Sequence, residues 1–348
     1  MRVVNLLIAL MIAPLLGLWL TTTGLSATTQ DLLLPMEELR TALDSFQQNL
    51  SSIEERFTVV KSQADSQKNQ YEEQHESLNT LTKLASNHQK KSDQIYEERI
   101  LMMLGAPVKE YASRRVEIKV FKLQELGYRG YIAKVKLFDP KAFKVVLAKD
   151  KLGAKETTLE AVKRTGAILG INGGGFYTEM KEGKPYGIHI GNVVIKGKLV
   201  GPFNAYPGNL SFSGISKSGR VIGGIFSEEK QLMALNPWQG VSFIPILIKG
   251  GAVHPIPADW AKTNQPRTII GEYANGDLIM IVVDGRQSDW SSGVTLERLI
   301  EKLVELGVKE GYNLDGGGSS TFVYKGEVLN KPSDGKLRPV VTNIVIMP

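Results

Sequence analysis

The 348-residue sequence contains no cysteine, which excludes disulfides, thiolate catalysis and cysteine-ligated metals. Histidine is scarce, with four residues, and no Gly-x-Ser-x-Gly elbow occurs. A Ser-His-Asp hydrolase therefore has little to build on. Zinc-ligand spacing, an RNA-binding aromatic signature and a helix-turn-helix pattern are all missing, so nucleic acid is not an expected partner. Charge is absent from Val3–Leu20, and glycine and proline are absent between Met36 and Leu104. Each of these two gaps marks a segment.

The first is residues 1–30. Arg2 precedes eighteen uncharged residues, and Thr21–Gln30 is small and polar. The pattern is that of a secretory signal or an N-terminal membrane anchor, and either places the rest of the chain outside the cytoplasm. Arg2 on the inner side agrees with the positive-inside tendency.

The second is residues 31–104. Met36, Leu39, Leu43, Phe46, Leu50, Ile53, Phe57, Val60 and Ala64 alternate by three and four, and the register continues through Tyr71, Leu78, Leu81, Ile95 and Met102. A 3.5-residue repeat held this long predicts a coiled coil, about 100 Å long if straight. Polar seam positions Gln67, Gln74, His88 and Ser92 weaken the middle and suit a role in fixing register or oligomer state, with His88 a tolerated seam residue rather than a ligand. The expected partner is a second copy of the chain; one amphipathic helix folded back on the body is the alternative.

From residue 105 to 348 the texture becomes short β-rich runs separated by turns. Strands are expected at Val116–Leu123, Tyr131–Phe138, Phe143–Ala148, Ala167–Ile171, Thr268–Glu272, Leu278–Val283 and Val340–Met347. Thr158–Arg164 reads as a short helix capped at Thr158, and Thr295 caps a second at Leu296–Leu306. Many strands, few helices and no βαβ alternation predict an α+β domain. Charge also divides here: residues 31–104 carry 8 basic against 13 acidic groups, net −5, whereas 105–348 carry 33 against 23, net +10. An anionic ligand belongs with the basic part.

Four apolar strands end in glycine turns: Asn172 to Gly175, Lys249 to Gly251, Asp284 to Arg286, and Asn313 to Ser320. If neighbouring, they would line one cleft. In the last, Asp315 runs into Gly316, Gly317 and Gly318 and then the hydroxyls of Ser319 and Ser320. Serial glycines let a ligand approach the backbone closely, and their N–H groups can converge on an anion. A turn built of these residues for conformation alone is the competing explanation. Asp284, Asp289 and Asp315 are candidate oxygen ligands, but no spacing supports a metal site, and no cofactor is implied.

Asn172-Gly-Gly-Gly-Phe-Tyr, Arg267-Thr-Ile-Ile-Gly, Val-Asp284-Gly-Arg286, Asn313-Leu-Asp315-Gly-Gly-Gly-Ser319-Ser320 and Arg338-Pro-Val-Val-Thr-Asn343 occur in that order. Over roughly residues 111–348 the sequence thereby resembles the phosphodiester glycosidase domain family, whose bacterial members are often labelled exopolysaccharide-biosynthesis proteins. The resemblance implies hydrolysis of a sugar-1-phosphodiester, releasing the sugar and leaving a phosphomonoester; for a chain outside the cytoplasm the expected substrates are envelope or exopolysaccharide glycans. It makes Asp315 the candidate nucleophile or general base and Asp284 the candidate second carboxylate. Arg267 and Arg338 become phosphate clamps, with Arg286 a third, since guanidinium binds phosphate bidentately. Asn172, Ser319 and Ser320 would bond sugar or phosphate oxygens. Glu179 and Glu182 either reach the cleft or are solvated, and His189 is either an active-site or a structural histidine. A non-catalytic binder of anionic glycopolymer and a coiled-coil scaffold are the other readings.

Overall fold

The structure, a computed structural model, describes residues 11–19, 21, 36–205, 208 and 210–348. The expected leader or anchor over 1–30 lies largely outside the described residues. Residues 11–19 are helical, and among the described residues no helix is long and apolar enough to cross a membrane.

Met36–Leu104 is helical throughout. Two compact units divide within it, Met1–Leu84 and Ala85–Pro348. In the first unit the seam residues Leu43, Phe46, Leu50, Ile53, Phe57 and Val60 are exposed.

The second unit is built on an eight-stranded, wholly antiparallel sheet. Its order is Lys109–Ala112, Val116–Glu125, Tyr128–Leu137, Leu278–Val283, Arg267–Tyr273, Val308–Leu314, Ile246–Lys249 and Ala252–Val253. Two five-stranded sheets and a two-stranded ribbon, Phe176–Lys181 with Lys184–His189, accompany it. One five-stranded sheet contains Ser211–Ser216 and Pro237–Phe243; the other contains Leu169–Asn172, Phe322–Tyr324 and Thr342–Ile346. The domain is α+β.

The large sheet is buried on both faces. Ile270, Met280, Val282, Tyr312 and Leu314 pack on one side with Leu169, Ile171, Val241 and Ile344 from the smaller sheets. Ile269, Ile279, Ile281 and Val283 face the other side, against Leu296, Leu299, Ile300 and Leu303 of the helix Leu296–Glu305. A strand covered on both faces needs apolar residues at every position, which is why Leu278–Val283 reads as a continuous run.

The last turns of the long helix belong to this unit. Ile100 is fully buried, and Met103 and Leu104 pack beside it. Glu97 accepts from Lys119 at 2.5 Å and pairs with buried Lys134 at 2.8 Å, while Lys134 also meets Asp277 at 2.5 Å. Asp93 pairs with Lys136 at 2.9 Å. These contacts lie off the heptad seam, whose Ile95 and Met102 stay exposed. The helix end therefore docks mainly through residues off the seam, joined by Arg99 of the seam register, which donates to the Glu305 carbonyl at 2.6 Å.

Two local expectations shift. The first short helix is Thr158–Thr165, and its cap is Thr157, not Thr158: Thr157 and Glu160 form a reciprocal capping box. Pro237–Phe243, a full strand, was not expected, because proline and glycine interrupt its apolar pattern.

Candidate active site

Strand register builds the site. Arg267–Tyr273 pairs with Val308–Leu314 such that Thr268 lies opposite Leu314. One step further sets Arg267 across from Asp315 where the two strands run out. Side chains alternate along a strand. With Tyr312 and Leu314 in the core, Asn313 and Asp315 turn to the opposite side, the side of Arg267 and Ile269. There a cleft of about 370 Å³ opens, lined by Asp315, Asn313, Gly316, Gly317 and the three arginines Arg267, Arg286 and Arg338. Phe243 and Trp260, edge-to-face with centroids 5.7 Å apart, form an aromatic wall.

Burial raises the Asp315 carboxyl to about 6, against the opposing pull of the Ser319 hydroxyl, the Arg338 charge and the Gly316 amide. Ser319 Oγ is buried beside this carboxylate but meets no partner in hydrogen-bond geometry. At neutral pH Asp315 is mostly ionised, so it can attack or accept a proton.

Arg267 is buried, and its guanidinium donates only to carbonyls: Thr263 at 2.9 Å, Val294 at 3.3 Å and Trp260 at 3.5 Å. Burial, with the Arg286 charge adding to it, lowers its pKa to about 10. Among the described residues no carboxylate pairs with it. Arg286, at φ +61°, crosses the turn and donates to Gln265 at 2.7 Å. Arg338 donates twice to Asp334 Oδ2, at 3.0 and 2.6 Å.

Each of the three serial glycines has a steric reason. A Cβ on Gly316 would lie 2.7 Å from the Pro266 carbonyl, and Gly317 has φ +58° under the Arg286 guanidinium. A Cβ on Gly318 would lie 2.0 Å from the Asp334 carboxylate. The turn amides are less free than the sequence suggests. Gly317 N–H donates to Pro266, Ser319 N–H to Gly316 and Ser320 N–H to Gly317. Donors to an anion therefore come mainly from the arginines.

Other expected site residues stand behind the cleft. Asn172 is fully buried; its amide donates to the Asp315 carbonyl at 2.6 Å, and its oxygen accepts from Thr268 Oγ1 at 2.8 Å and Thr321 N–H at 3.2 Å. Ser320 Oγ lies 3.4 Å from Thr268 Oγ1. Both residues position the turn and do not line the cleft.

Asp284 does not join Asp315. Its carboxylate is buried and accepts from Trp290 Nε1 at 2.8 Å, Asn330 at 2.9 Å and the Lys331 amide at 3.0 Å. Burial raises its pKa, and these three donors oppose the rise. Asn330 in turn donates to Ser320 O and accepts from Phe322 N–H, so Asp284 anchors the far end of the glycine turn.

Of the four glycine turns, only two supply cleft residues. Gly173 to Gly175 lie tightly against Thr342, Ser242 and Phe243, and Gly250 donates to Glu310 in a separate hairpin. Glu179 and Glu182 are exposed, and His189 bonds Gly191 O at 2.9 Å away from the cleft lining. Among the described residues no three carboxylate or imidazole groups gather as a metal site. Sequence reasoning missed Asn313, Phe243, Trp260 and Gln265 as lining residues. The place of Asn313 two positions before Asp315 was the available signal for one of them.

Residues 165–347 match the family model described as phosphodiester glycosidase. The chain belongs to the phosphodiester glycosidase family. It is 31% identical over 196 residues to N-acetylglucosamine-1-phosphodiester alpha-N-acetylglucosaminidase of Bos taurus, covering 52% of this chain and 35% of that protein. The Homo sapiens protein of the same name is 29% identical over 196 residues, covering 52% and 36%. The chain thus spans about a third of the length of these curated relatives. Among solved structures, the zebrafish catalytic domain of that enzyme, auto-inhibited by its pro-peptide, superposes with a TM-score of 0.56 at 25% identity, covering 70% of this chain and 87% of that one. A hypothetical protein from Synechocystis shares the fold, with a TM-score of 0.53 at 12% identity over 69% of this chain and 63% of that one.

Proposed function

We propose that this phosphodiester glycosidase domain hydrolyses a sugar-1-phosphodiester, with an N-acetylglucosamine-like sugar, at the Asp315 cleft. One observation carries the reading: the buried guanidinium of Arg267, unpaired by any described carboxylate, opens on the same cleft as an ionisable Asp315. A buried cation without a counter-ion is costly, and an anionic ligand offsets that cost. Three arginines around one carboxylate match a phosphodiester joined to a sugar, with the aromatic wall suited to a pyranose face.

In the proposed reaction the bond between the anomeric carbon and the phosphate oxygen breaks. The electron pair leaves with the phosphate, whose charge the arginines neutralise. Asp315 either attacks the anomeric carbon, forming a glycosyl ester that water then hydrolyses to free sugar and the regenerated carboxylate, or takes a proton from the water that attacks that carbon directly. Ordinary glycosidases need a second carboxyl to protonate a poor leaving group; a phosphate leaves without that help, which is consistent with a cleft holding one carboxylate. The names of the curated relatives agree with this chemistry.

The setting is part of the proposal. We place the domain outside the cytoplasm, at the envelope, acting on glycans there, with residues 1–30 as leader or anchor. The exposed heptad seam of Leu43 to Val60 supports pairing with a second copy.

The test is release of free sugar from a panel of sugar-α-1-phosphodiesters by the purified chain. Cleavage by wild type, with hydrolysis lost but ligand binding kept in Asp315→Asn, supports catalysis. A folded wild type that binds such diesters and never cleaves one reduces the site to a glycopolymer-binding module.

A further inference from the structure

The end of the large sheet that carries the cleft also carries a second recess. Arg267, Val283, Gly130 and Leu123 lie side by side across four strands there. Next to them Lys122 is paired opposite Tyr131, and Gln124 opposite Arg129. Residues directly opposite project from one face, and these four, with Trp290 and Asp284, line a recess of about 80 Å³. Far smaller than the cleft, it suits one small group and not a sugar ring.

Trp290 is its fixed point. Its Nε1 donates to buried Asp284 at 2.8 Å and its backbone N–H to the Gln287 carbonyl at 3.2 Å. The Arg129 guanidinium lies 4.7 Å from the centre of the indole ring, and the Lys331 ammonium 5.6 Å. A cation held on a ring is positioned without using its N–H donors. Lys122, Arg129 and Lys331 are all exposed. Among the described residues no carboxylate pairs with any of these three side chains, and no protein acceptor takes a hydrogen bond from them. Asp284, the carboxylate of the recess, is already answered by Trp290, Asn330 and the Lys331 amide. Free cationic donors around a small accessible recess call for an anion.

Its place identifies that anion. Asp284 lines the recess and Arg286 the cleft, two residues and at most about 7 Å of chain apart. Gln287 ties the same turn to Lys331, donating to its carbonyl at 3.2 Å. The turn from Asp284 to Gln287 is thus a wall common to both. We propose that the Trp290 recess is a second anion subsite, holding a further phosphate of the glycan whose sugar-1-phosphodiester lies in the cleft. The substrate is then a chain bearing more than one phosphate. This rests on the reading of the cleft above for the chemistry of the anion.

A ligand that engages both subsites makes its second contact intramolecularly. The test uses the full-length chain, an α-1-phosphodiester with one phosphate, and a short oligomer of the same sugar joined through successive phosphodiesters. In wild type kcat/KM per diester bond is expected to be about tenfold or more higher for the oligomer, and to fall more steeply with added salt. The double variant Lys122→Gln, Arg129→Gln is expected to bring that ratio to within about threefold and to leave the single diester unchanged. Both side chains are exposed, and a native far-UV spectrum checks the fold. Equal handling of the two substrates by wild type overturns the assignment, as does a double variant that slows both alike and keeps the ratio. Equal handling together with binding to phosphatidylglycerol vesicles that the double variant loses moves the recess to a lipid headgroup and overturns it too. Where wild type binds both ligands and cleaves neither, the hydrolase reading fails, and the same ratio read as calorimetric Kd values decides the subsite.

Discussion

Asn172 and Asp315 stand 143 positions apart and share a hydrogen bond of 2.6 Å, from the Asn172 side-chain amide to the Asp315 carbonyl. The other end of the same carboxamide holds Thr268 and Thr321, so one buried side chain ties three strand ends around the carboxylate.

Asn172→Ala should therefore act through position. Three buried groups lose a partner, each costing about 1–3 kcal/mol, and a displacement of about 1 Å at Asp315 costs roughly 100-fold in rate. The expected outcome is a kcat reduced by about two orders of magnitude with KM little changed, and a lowered Tm, measured by steady-state hydrolysis and calorimetry.

The raised pKa of Asp315 has two pH signatures. Activity that needs the carboxylate should rise as pH increases through about 6 and then level, and Asp315→Asn should abolish that limb with the activity. For stability the sign is opposite. The folded state holds its proton up to about 6, whereas the unfolded chain releases it near the ordinary carboxyl value. Stability therefore falls as pH rises between the two. At pH 7 Asp315→Asn should be more stable than wild type by about 1–3 kcal/mol, and at pH 3 the gain should vanish. Denaturant titrations at both pH values check this.

Arg267 separates a phosphate clamp from a loop staple. Inorganic phosphate should inhibit wild type competitively, and Arg267→Gln should weaken that inhibition tenfold or more while the far-UV spectrum stays native. Arg267→Lys should recover little, since one ammonium cannot serve the Thr263 and Val294 carbonyls and a phosphate together. Unchanged phosphate inhibition in Arg267→Gln would make the residue a staple only.

Residues 85–104 should prove part of the folded domain. A chain starting at 105 loses buried Ile100, worth about 1.5–3 kcal/mol, and leaves Lys134 without Glu97. Its Tm should fall by roughly 5–10 °C relative to residues 85–348, by differential scanning calorimetry.

Much of the site was legible because it is local in sequence. Asp315 with its glycines and the three arginines were recognisable by motif, and Leu278–Val283 by its apolar run. Asp284 shares that motif character in its Asp-Gly-Arg context but does not line this cleft. Only the fold shows Arg286 entering the cleft while Asp284 turns to Trp290 and Asn330. Phe243 was hidden in a strand broken by proline and glycine. Trp260, on the four-residue helix Ala258–Ala261, had no periodicity to announce it.

The sequence by itself determined the family, the strand-rich class, the heptad and the residue types that converge on the site, since these depend on motifs and on side-chain period within one segment. The tertiary structure alone decided that Arg267 and Asp315 line one cleft, that Asn172 sits behind it and Asn313 in it, and that the compact unit holding the cleft takes in the helix from Ala85. Those outcomes depend on strand register and on pairings between residues as far as 143 positions apart, which no local pattern encodes.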